Sequence, residues 1–160
     1  MKRWSVRPAT SGDVPDIYVM LRASAREQHG EESLCATKEN LIRDGFGDSP
    51  RFHVLIAEQD GKAVGLALYF FIYSTWTSRN GLYLEDLYVK PEYRKQGVAQ
   101  ALMQELAHVA KQNGCGRMMW LVLRQNPAVK FYRRLGAAAL EDWMPMQMKT
   151  AEIEALAQTR

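Results

Sequence analysis

A basic, glycine-containing loop between a predicted strand and a predicted helix carries the residue types best suited to chemistry. Arg94, Lys95 and Gln96 precede Gly97, and the apolar periodicity of a helix begins at Val98. Glycine lets the backbone approach a ligand closely, and the first N–H groups of a helix are unpaired donors at the positive end of its dipole. A pyrophosphate matches such a set of donors. We therefore expect this loop to bind a phosphorylated ligand.

Two adjacent carboxylates, Glu85 and Asp86, lie on the predicted strand that leads into this loop. Neighbouring side chains of a regular strand point to opposite faces, so we expect the two not to form a close pair and one of them to line a cleft. A carboxylate in a cleft can anchor a cation or accept a proton. A surface ion pair is the alternative interpretation.

Tyr132 is the candidate proton donor. A phenol with a pKa near 10 stays protonated at neutral pH. Core packing is the alternative, because Phe131-Tyr132 on a short helix is a common packing pattern. Asn126 precedes Pro127, where it can serve either as a helix N-cap or as a ligand contact.

These segments, in their order and spacing, resemble the GNAT superfamily of N-acetyltransferases. The spacing Arg94-x-x-Gly97-x-Ala99 after the segment 84–91 resembles the acetyl-CoA loop of that superfamily, and Asn126-Pro127 with Phe131-Tyr132-Arg133-Arg134-Leu135-Gly136-Ala137 resembles its closing segment. Three further segments most resemble the diamine branch, the spermidine/spermine and thialysine N-acetyltransferases: Arg7-Pro8-Ala9-Thr10, Asp44-Gly45-Phe46-Gly47 and Tyr83-Leu84-Glu85-Asp86. The resemblance covers roughly residues 4 to 148.

The resemblance implies acetyl-CoA as co-substrate and no metal. Backbone N–H groups of the loop would hold the pyrophosphate, with Arg94 and Lys95 adding charge, and a strand edge at Leu87 and Val89 would pair with the pantetheine arm. The Val89 N–H would donate to the thioester oxygen. The implied cofactor-binding residues are Leu87, Tyr88, Val89, Arg94, Lys95, Gln96, Gly97, Val98, Ala99, Gln100 and Asn126.

The resemblance also implies direct acetyl transfer in a ternary complex. A lysine-like amine has a pKa near 10.4, so it must lose a proton before it attacks the thioester. Glu85 would take the amine, as a base through water or as an anionic anchor, and Tyr132 would protonate the departing thiolate.

A small cationic acceptor follows from the same resemblance: a diamine, a polyamine or a lysine-like amino acid. The candidate substrate-binding residues are Glu27, Gln28, Trp76, Glu85 and Asp86. Diamine enzymes have carboxylates where this chain has Gln28 and Ser74, so the sequence leaves polyamine specificity open. Trp76 could stack on an amine or on the cofactor arm, or simply anchor its loop.

Two other functions stay open. The acceptor could be a protein lysine, an N-terminal amine or an antibiotic, because an acidic cleft does not exclude a peptide. A non-catalytic acyl-CoA-binding module is the alternative from another class. The presence of both Glu85 and Tyr132 argues against that module, since binding alone needs neither.

The pattern of apolar residues and turn signals predicts an α/β fold of the mixed α+β kind: a mostly antiparallel central sheet with one parallel strand pair, flanked by helices. In the GNAT fold that the resemblance implies, this pair is splayed at the acetyl-CoA site. The predicted strands are 5–8, 52–59, 63–73, 82–89, 118–123 and 143–148. Four helices are predicted. The first spans residues 14–28, and the second is capped by Thr37 and ended by Asp44-Gly45. The third runs from residue 98 to Gly114, and the fourth from Pro127 to Gly136. A hairpin turn is predicted at Asp60-Gly61 and a loop at 74–81.

Length and composition set the broad class. With 160 residues, of which 47% are apolar, the chain is predicted to form a single domain over residues 1–160. The richest apolar run, 64–73, is shorter than the roughly 18 residues of a membrane span, so no membrane partner is expected. A net charge of +3 with interspersed signs argues against a nucleic-acid surface.

The chain start and the cysteines give two further expectations. Lys2 and Arg3 are followed by a polar mixture rather than the apolar block of a signal peptide, which predicts a cytoplasmic location. Cys35 and Cys115 have neither metal nor redox spacing and are predicted to be free thiols. The family resemblance suggests a homodimer.

Overall fold

A five-stranded sheet dominates the first of two compact units, which are divided between Leu121 and Val122. This computed structural model describes residues 4–159, so Lys2 and Arg3 lie outside the described residues. The strands follow chain order across the sheet: β1 (Ser5–Pro8), β2 (His53–Gln59), β3 (Lys62–Ser74), β4 (Arg79–Val89) and β5 (Arg117–Met119). Neighbours from β1 to β4 are antiparallel, and β4 and β5 are parallel. The predicted mixed sheet is confirmed.

Three α-helices cover this sheet: α1 (Val14–Glu27), α2 (Lys38–Phe46) and α3 (Val98–Gln112). Thr37 caps α2 by accepting a hydrogen bond from the Asn40 N–H, as predicted. On one face of the sheet, α1 and α2 pack against an apolar core. Its buried members are Val14, Ile17, Met20, Leu21, Leu41, Val54, Ile56, Ala63, Leu66, Leu68 and Tyr88.

Helix α3 covers the opposite face of the sheet. Leu102 lies over Gly65, within 3.4 Å of the point where a Cβ would stand. Gly65 is next to Leu66, which points into the core under α1, and successive strand residues alternate between faces. The sheet is therefore buried on both sides, which accounts for the nearly continuous apolar run of β3.

Two hairpins connect the antiparallel strands. Asp60 and Gly61 both have positive φ, 50° and 74°, as a two-residue hairpin turn requires, and this prediction is confirmed. The second hairpin is tighter than predicted, because Arg79, Asn80 and Gly81 pair with β3 and only residues 75–78 remain outside the strands. These three residues lack an apolar signal, yet their backbone groups complete the ladder.

The second unit contains α4 (Ala128–Arg134) and α5 (Thr150–Gln158). Helix α4 starts directly after Pro127 and ends before Gly136 at φ 95°, as predicted. Helix α5 has no counterpart in the predictions. No helix among residues 4–159 is both long enough and apolar enough to cross a membrane.

Two strand predictions near the C-terminus need correction. The ladder of β5 covers only Arg117–Met119 rather than residues 118–123. The strand predicted over residues 143–148 is wrong, because no part of that segment is a strand in the described structure. Its alternating Met144, Met146 and Met148 are exposed. Alternation favours a strand only where a neighbouring edge offers hydrogen bonds, and in the described part of the second unit no strand does.

Candidate active site

The end of β4 presents peptide groups at an open strand edge. The Lys90 N–H donates to the Val64 carbonyl at 2.9 Å, and hydrogen-bonded pairs alternate along an antiparallel ladder. The peptide groups of Val89 and Leu87 therefore point away from β3. On that side, the ladder with β5 covers only Gly81–Tyr83, so in the described first unit the edge of β4 is open beyond Tyr83. This is where the sequence predicts contacts with a pantetheine arm.

The loop after β4 leads directly into the exposed start of α3. Lys95 and Gly97 are both left-handed, with φ values of 59° and 90°, and the first hydrogen bond of the helix runs from the Ala101 N–H to the Gly97 carbonyl at 3.0 Å. No side chain of the described residues caps this end, and its first turn contains no acidic residue. The N–H groups of residues 98–100 thus form a positive end with no carboxylate in the first turn of their own helix, which favours an anion.

Gly97 is required for two reasons, one of which the sequence did not reveal. Its φ of 90° is unfavourable for any residue with a side chain. A Cβ at this position would also lie 3.3 Å from Cζ2 of the Trp4 indole. Trp4 therefore packs directly against the loop. In the sequence, the signals for this contact are only the size of Trp4 and its position next to the first strand.

Arg94 turns back toward the protein. Its Nε donates to the Val89 carbonyl at 2.8 Å, and its Nη2 lies 2.6 Å and 2.9 Å from the two carboxylate oxygens of Glu27. The guanidinium also lies 5.5 Å from the ring centre of Tyr88. The sequence predicted Arg94 as a cofactor residue and Glu27 as a substrate residue, and the structure brings the two together as an ion pair.

A β-bulge separates the two adjacent carboxylates from the regular ladder. Asp86 pairs with Leu68 and Leu84 pairs with Tyr69, so Glu85 is the extra residue. Because a bulge interrupts the alternation of side chains, regular strand geometry no longer requires Glu85 and Asp86 to point to opposite faces. Burial raises the pKa of both Asp86 and Tyr83, and the negative charge of exposed Glu85 adds to each shift.

Asp86 is a largely buried carboxylate with a raised pKa. It lies opposite Leu68, on the face of the sheet that packs against α1. Burial, assisted by the charge of Glu85, raises the pKa of Asp86 to about 6. No ion pair or hydrogen bond of this carboxylate is found among residues 4–159. An unpaired carboxylate with such a pKa is anionic at neutral pH and more basic than an ordinary aspartate.

The remaining predicted substrate residues of the first unit lie at two separate places. Gln28 follows α1 and donates to the Ser24 hydroxyl at 3.2 Å. Trp76 lies in the turn between β3 and β4 and is 85% exposed, beside buried Ser74. This turn is at the start of β4, roughly 30 Å along the strand from Val89. The structure does not bring Trp76 to the cofactor loop.

In the second unit, Asn126 and Tyr132 belong to the same short helix and its start. The Asn126 Oδ1 accepts a hydrogen bond from the Ala128 N–H at 2.9 Å, which is the capping role considered from the sequence. Tyr132 is partly buried on α4 beside the ring of Phe131. Burial raises the pKa of the Tyr132 phenol, so it is protonated at neutral pH. Elsewhere, Cys35 and Cys115 are free thiols, and no three metal-ligating side chains cluster anywhere in residues 4–159.

Known proteins match this chain over most of its length. The model of the Acetyltransferase (GNAT) family matches residues 15–137. The thialysine N-epsilon-acetyltransferase of Sus scrofa is 40% identical over 164 aligned positions, which cover 95% of this chain and 96% of that protein. Spermidine/spermine N(1)-acetyltransferase-like protein 1 of Homo sapiens is 34% identical over 96% of this chain, which matches only 24% of that longer protein.

Solved structures share the fold at lower identity. An integron cassette protein from the mobile metagenome of V. cholerae has a TM-score of 0.82 and 22% identity, over 99% of this chain and 100% of its own. An aminoglycoside acetyltransferase from an uncultured soil metagenomic sample has a TM-score of 0.77 and 17% identity, over 92% and 96%. The family model spans most of the sheet and its helices, and the relative from Sus scrofa matches nearly the whole sequence. The chain therefore belongs to the GNAT family of acetyltransferases.

Proposed function

We propose that this protein transfers an acetyl group from acetyl-CoA to a primary amine of a small cationic acceptor, by direct attack in a ternary complex. The observation that carries the proposal is the layout of β4. Within a few residues, this strand carries the coupled carboxylates Glu85 and Asp86 and the open edge that ends at Val89. One strand thus offers an anion for the amine and free backbone donors for the thioester.

The donor side is supported by the start of α3. Its N–H groups at Val98, Ala99 and Gln100 face no acidic side chain in the first turn, and Lys95 adds positive charge beside them. These features suit the pyrophosphate of acetyl-CoA. The edge residues Leu87 and Val89 would pair with the pantetheine arm as an added strand pairs with a sheet.

The acceptor side is supported by the raised pKa of Asp86. A carboxylate with a pKa of about 6 attracts an ammonium group at neutral pH and accepts its proton more readily than an ordinary aspartate does. We propose that Asp86 and Glu85 together hold the amine, and that its proton leaves to one of them directly or through water. The amine lone pair then attacks the thioester carbon.

Tyr132 would complete the reaction. When the carbon–sulfur bond breaks, the departing thiolate needs a proton, and a phenol held protonated by burial has one to give. We propose Tyr132 as this acid. For Asn126, whose Oδ1 already caps α4, the side-chain amide N–H groups are the part proposed to contact the cofactor.

The relatives support a small cationic acceptor over a protein. They include enzymes named for thialysine and, in Arabidopsis thaliana, for L-ornithine, which are small amines with a carboxylate. Release of the coenzyme A thiol over a panel of acceptors tests this directly. The panel contains thialysine, ornithine, spermidine, a lysine-containing peptide and an aminoglycoside.

We expect the highest kcat/KM for a small amine of the panel, and a loss of about 100-fold or more in Asp86→Asn. Faster turnover of the peptide or the aminoglycoside would contradict the proposed acceptor class and identify the faster compound as the better type of acceptor. Binding of acetyl-CoA without thiol release from any acceptor would favour a non-catalytic module.

We also propose a homodimer. Large apolar side chains of the second unit are exposed in the single chain, among them Met144 at 79% and Met146 at 85%. Apolar surface of this kind is typical of protein interfaces. Light scattering during size exclusion should give twice the mass of one chain, and the mass of a single chain would contradict the proposal.

A further inference from the structure

We infer that Arg94 is a positioning residue for the thioester end of acetyl-CoA, and not a ligand of its phosphate groups. The inference rests on the proposed function. Arg94 begins the glycine loop, where a basic side chain would be expected to bind a phosphate group. Its guanidinium instead contacts Val89, Glu27 and Tyr88.

Two of the three nitrogens of the Arg94 guanidinium, Nε and Nη2, already have partners. Nε is bonded to a backbone carbonyl, and Nη2 is shared between both oxygens of Glu27 at 2.6 Å and 2.9 Å. Binding a phosphate through these atoms would break both interactions. It would also leave the carboxylate of Glu27 beside the phosphate, where like charges repel.

The contact of Arg94 with Val89 holds one peptide group at the end of β4. The peptide between Val89 and Lys90 is held at both of its polar atoms: its carbonyl accepts from Arg94 at 2.8 Å, and its N–H donates to the Val64 carbonyl at 2.9 Å. The neighbouring Val89 N–H points to the same open edge as that carbonyl. Arg94 therefore fixes the orientation of the strand end, and the Val89 N–H is directed outward at the open edge of the first unit.

Glu27, the last residue of α1, is the acidic partner of Arg94. It holds the guanidinium from a position 67 residues away in the chain. The side chains of Arg94 and Glu27 are 41% and 46% exposed, and ion pairs this exposed contribute little to stability. The pair therefore orients Arg94 more than it stabilises the fold. Glu27 thereby becomes a partner of Arg94 and no longer an open anchor for the acceptor.

Two acetyl donors separate the two roles of Arg94. S-acetylpantetheine has the same thioester and arm as acetyl-CoA but lacks the pyrophosphate. In Arg94→Gln, we expect kcat/KM to fall by about 10- to 100-fold with both donors and by similar factors, because a small misplacement at the reacting end is costly. The midpoint of thermal unfolding should change little.

Three variants sharpen the comparison. Arg94→Lys keeps the positive charge, but a lysine cannot reach Val89 and Glu27 together. We therefore expect this variant not to recover kcat/KM with either acetyl donor. Glu27→Gln keeps one acceptor for Nη2, and we expect a loss of less than about tenfold, again equal for the two donors. Lys95→Gln shows how a phosphate role would appear, with a larger loss for acetyl-CoA than for S-acetylpantetheine.

A loss confined to acetyl-CoA, recovery by Arg94→Lys, or no loss in Arg94→Gln overturns the inference. If the wild-type protein acetylates no amine with either donor, the proposed function fails, and calorimetry then decides the role of Arg94. Unchanged affinity of Arg94→Gln for coenzyme A supports a position away from the phosphates. A drop of about tenfold or more in that affinity overturns the inference.

Discussion

Asp86 lies directly across the β3–β4 ladder from Leu68, on the face of the sheet that packs against α1 and α2. A carboxylate opposite a buried leucine is poorly solvated, and the charge of Glu85 next to it disfavours ionisation further. The pKa of Asp86 therefore rises to about 6. An acid that titrates so close to neutrality gives both the activity and the stability a measurable dependence on pH.

The first prediction concerns the pH dependence of acetyl transfer. Asp86 loses its charge as the pH falls through about 6, and with it the ability to hold an ammonium group or accept its proton. We expect kcat/KM for the amine to fall by about tenfold for each pH unit below this ionisation. Initial rates between pH 4.5 and 9 measure it. An acid limb that stays near pH 6 in Asp86→Asn would show that another group is responsible.

The second prediction concerns the free energy of unfolding. As the pH falls below about 6, the contribution of Asp86 to this free energy should become more favourable, whereas the activity should fall. The folded state binds the Asp86 proton more tightly than the unfolded chain does, because its pKa is raised from 3.8 to about 6. Ionised Asp86 thus lowers the free energy of unfolding above pH 6, and this cost disappears as the pH falls toward 4. A rise from 3.8 to about 6, at about 1.4 kcal/mol per pKa unit, corresponds to about 3 kcal/mol, so Asp86→Asn should gain up to that amount at pH 8.

Denaturant unfolding of wild type and Asp86→Asn at pH 8 and at pH 4.5 measures this gain. Glu85→Gln is the matched control, because Glu85 is exposed at the bulge and carries no comparable burial cost. Its effect should be smaller and should act through the pKa of Asp86. Equal stability of wild type and Asp86→Asn at pH 8 would contradict a raised pKa.

The third prediction concerns Tyr132. Replacement by phenylalanine keeps the packing of the ring against Phe131 and removes the proton, so we expect kcat to fall by about 100-fold or more. Burial raises the pKa of the phenol above its ordinary value of 10, so wild-type activity should persist to at least that pH. Steady-state rates give both quantities. Near wild-type turnover in Tyr132→Phe would remove Tyr132 from the mechanism.

Local signals made much of the fold predictable from sequence. The Asp60-Gly61 turn, the Thr37 cap and the glycine that precedes α3 each depend on a few neighbouring residues. The bulge at Glu85 is different, since it depends on how β3 and β4 align along their whole length. No pattern within β4 alone marks the position where one strand gains a residue on the other.

Side-chain partners that are distant in sequence could not be predicted either. Arg94 and Glu27 are each compatible with binding an external charge, and only the folded chain shows that they neutralise one another. The contact of Trp4 with Gly97 likewise joins two residues that are distant in sequence, and only the folded chain shows it. The loop and strand that form the candidate site could thus be proposed from sequence, but the partners of its charged residues could not.

The fourth prediction uses two glycines at the two ends of α3. Gly97 and Gly114 are both left-handed, at φ 90° and 63°, so alanine should cost about 1 kcal/mol of stability at either position. At Gly114 an added Cβ meets nothing within 4 Å, whereas at Gly97 it presses on the Trp4 indole at 3.3 Å and alters the loop proposed to hold the pyrophosphate. We therefore expect only Gly97→Ala to raise the KM for acetyl-CoA, by about tenfold or more, without changing the KM for the amine. If the two variants have the same KM for acetyl-CoA, close backbone approach at Gly97 is not what binds this co-substrate.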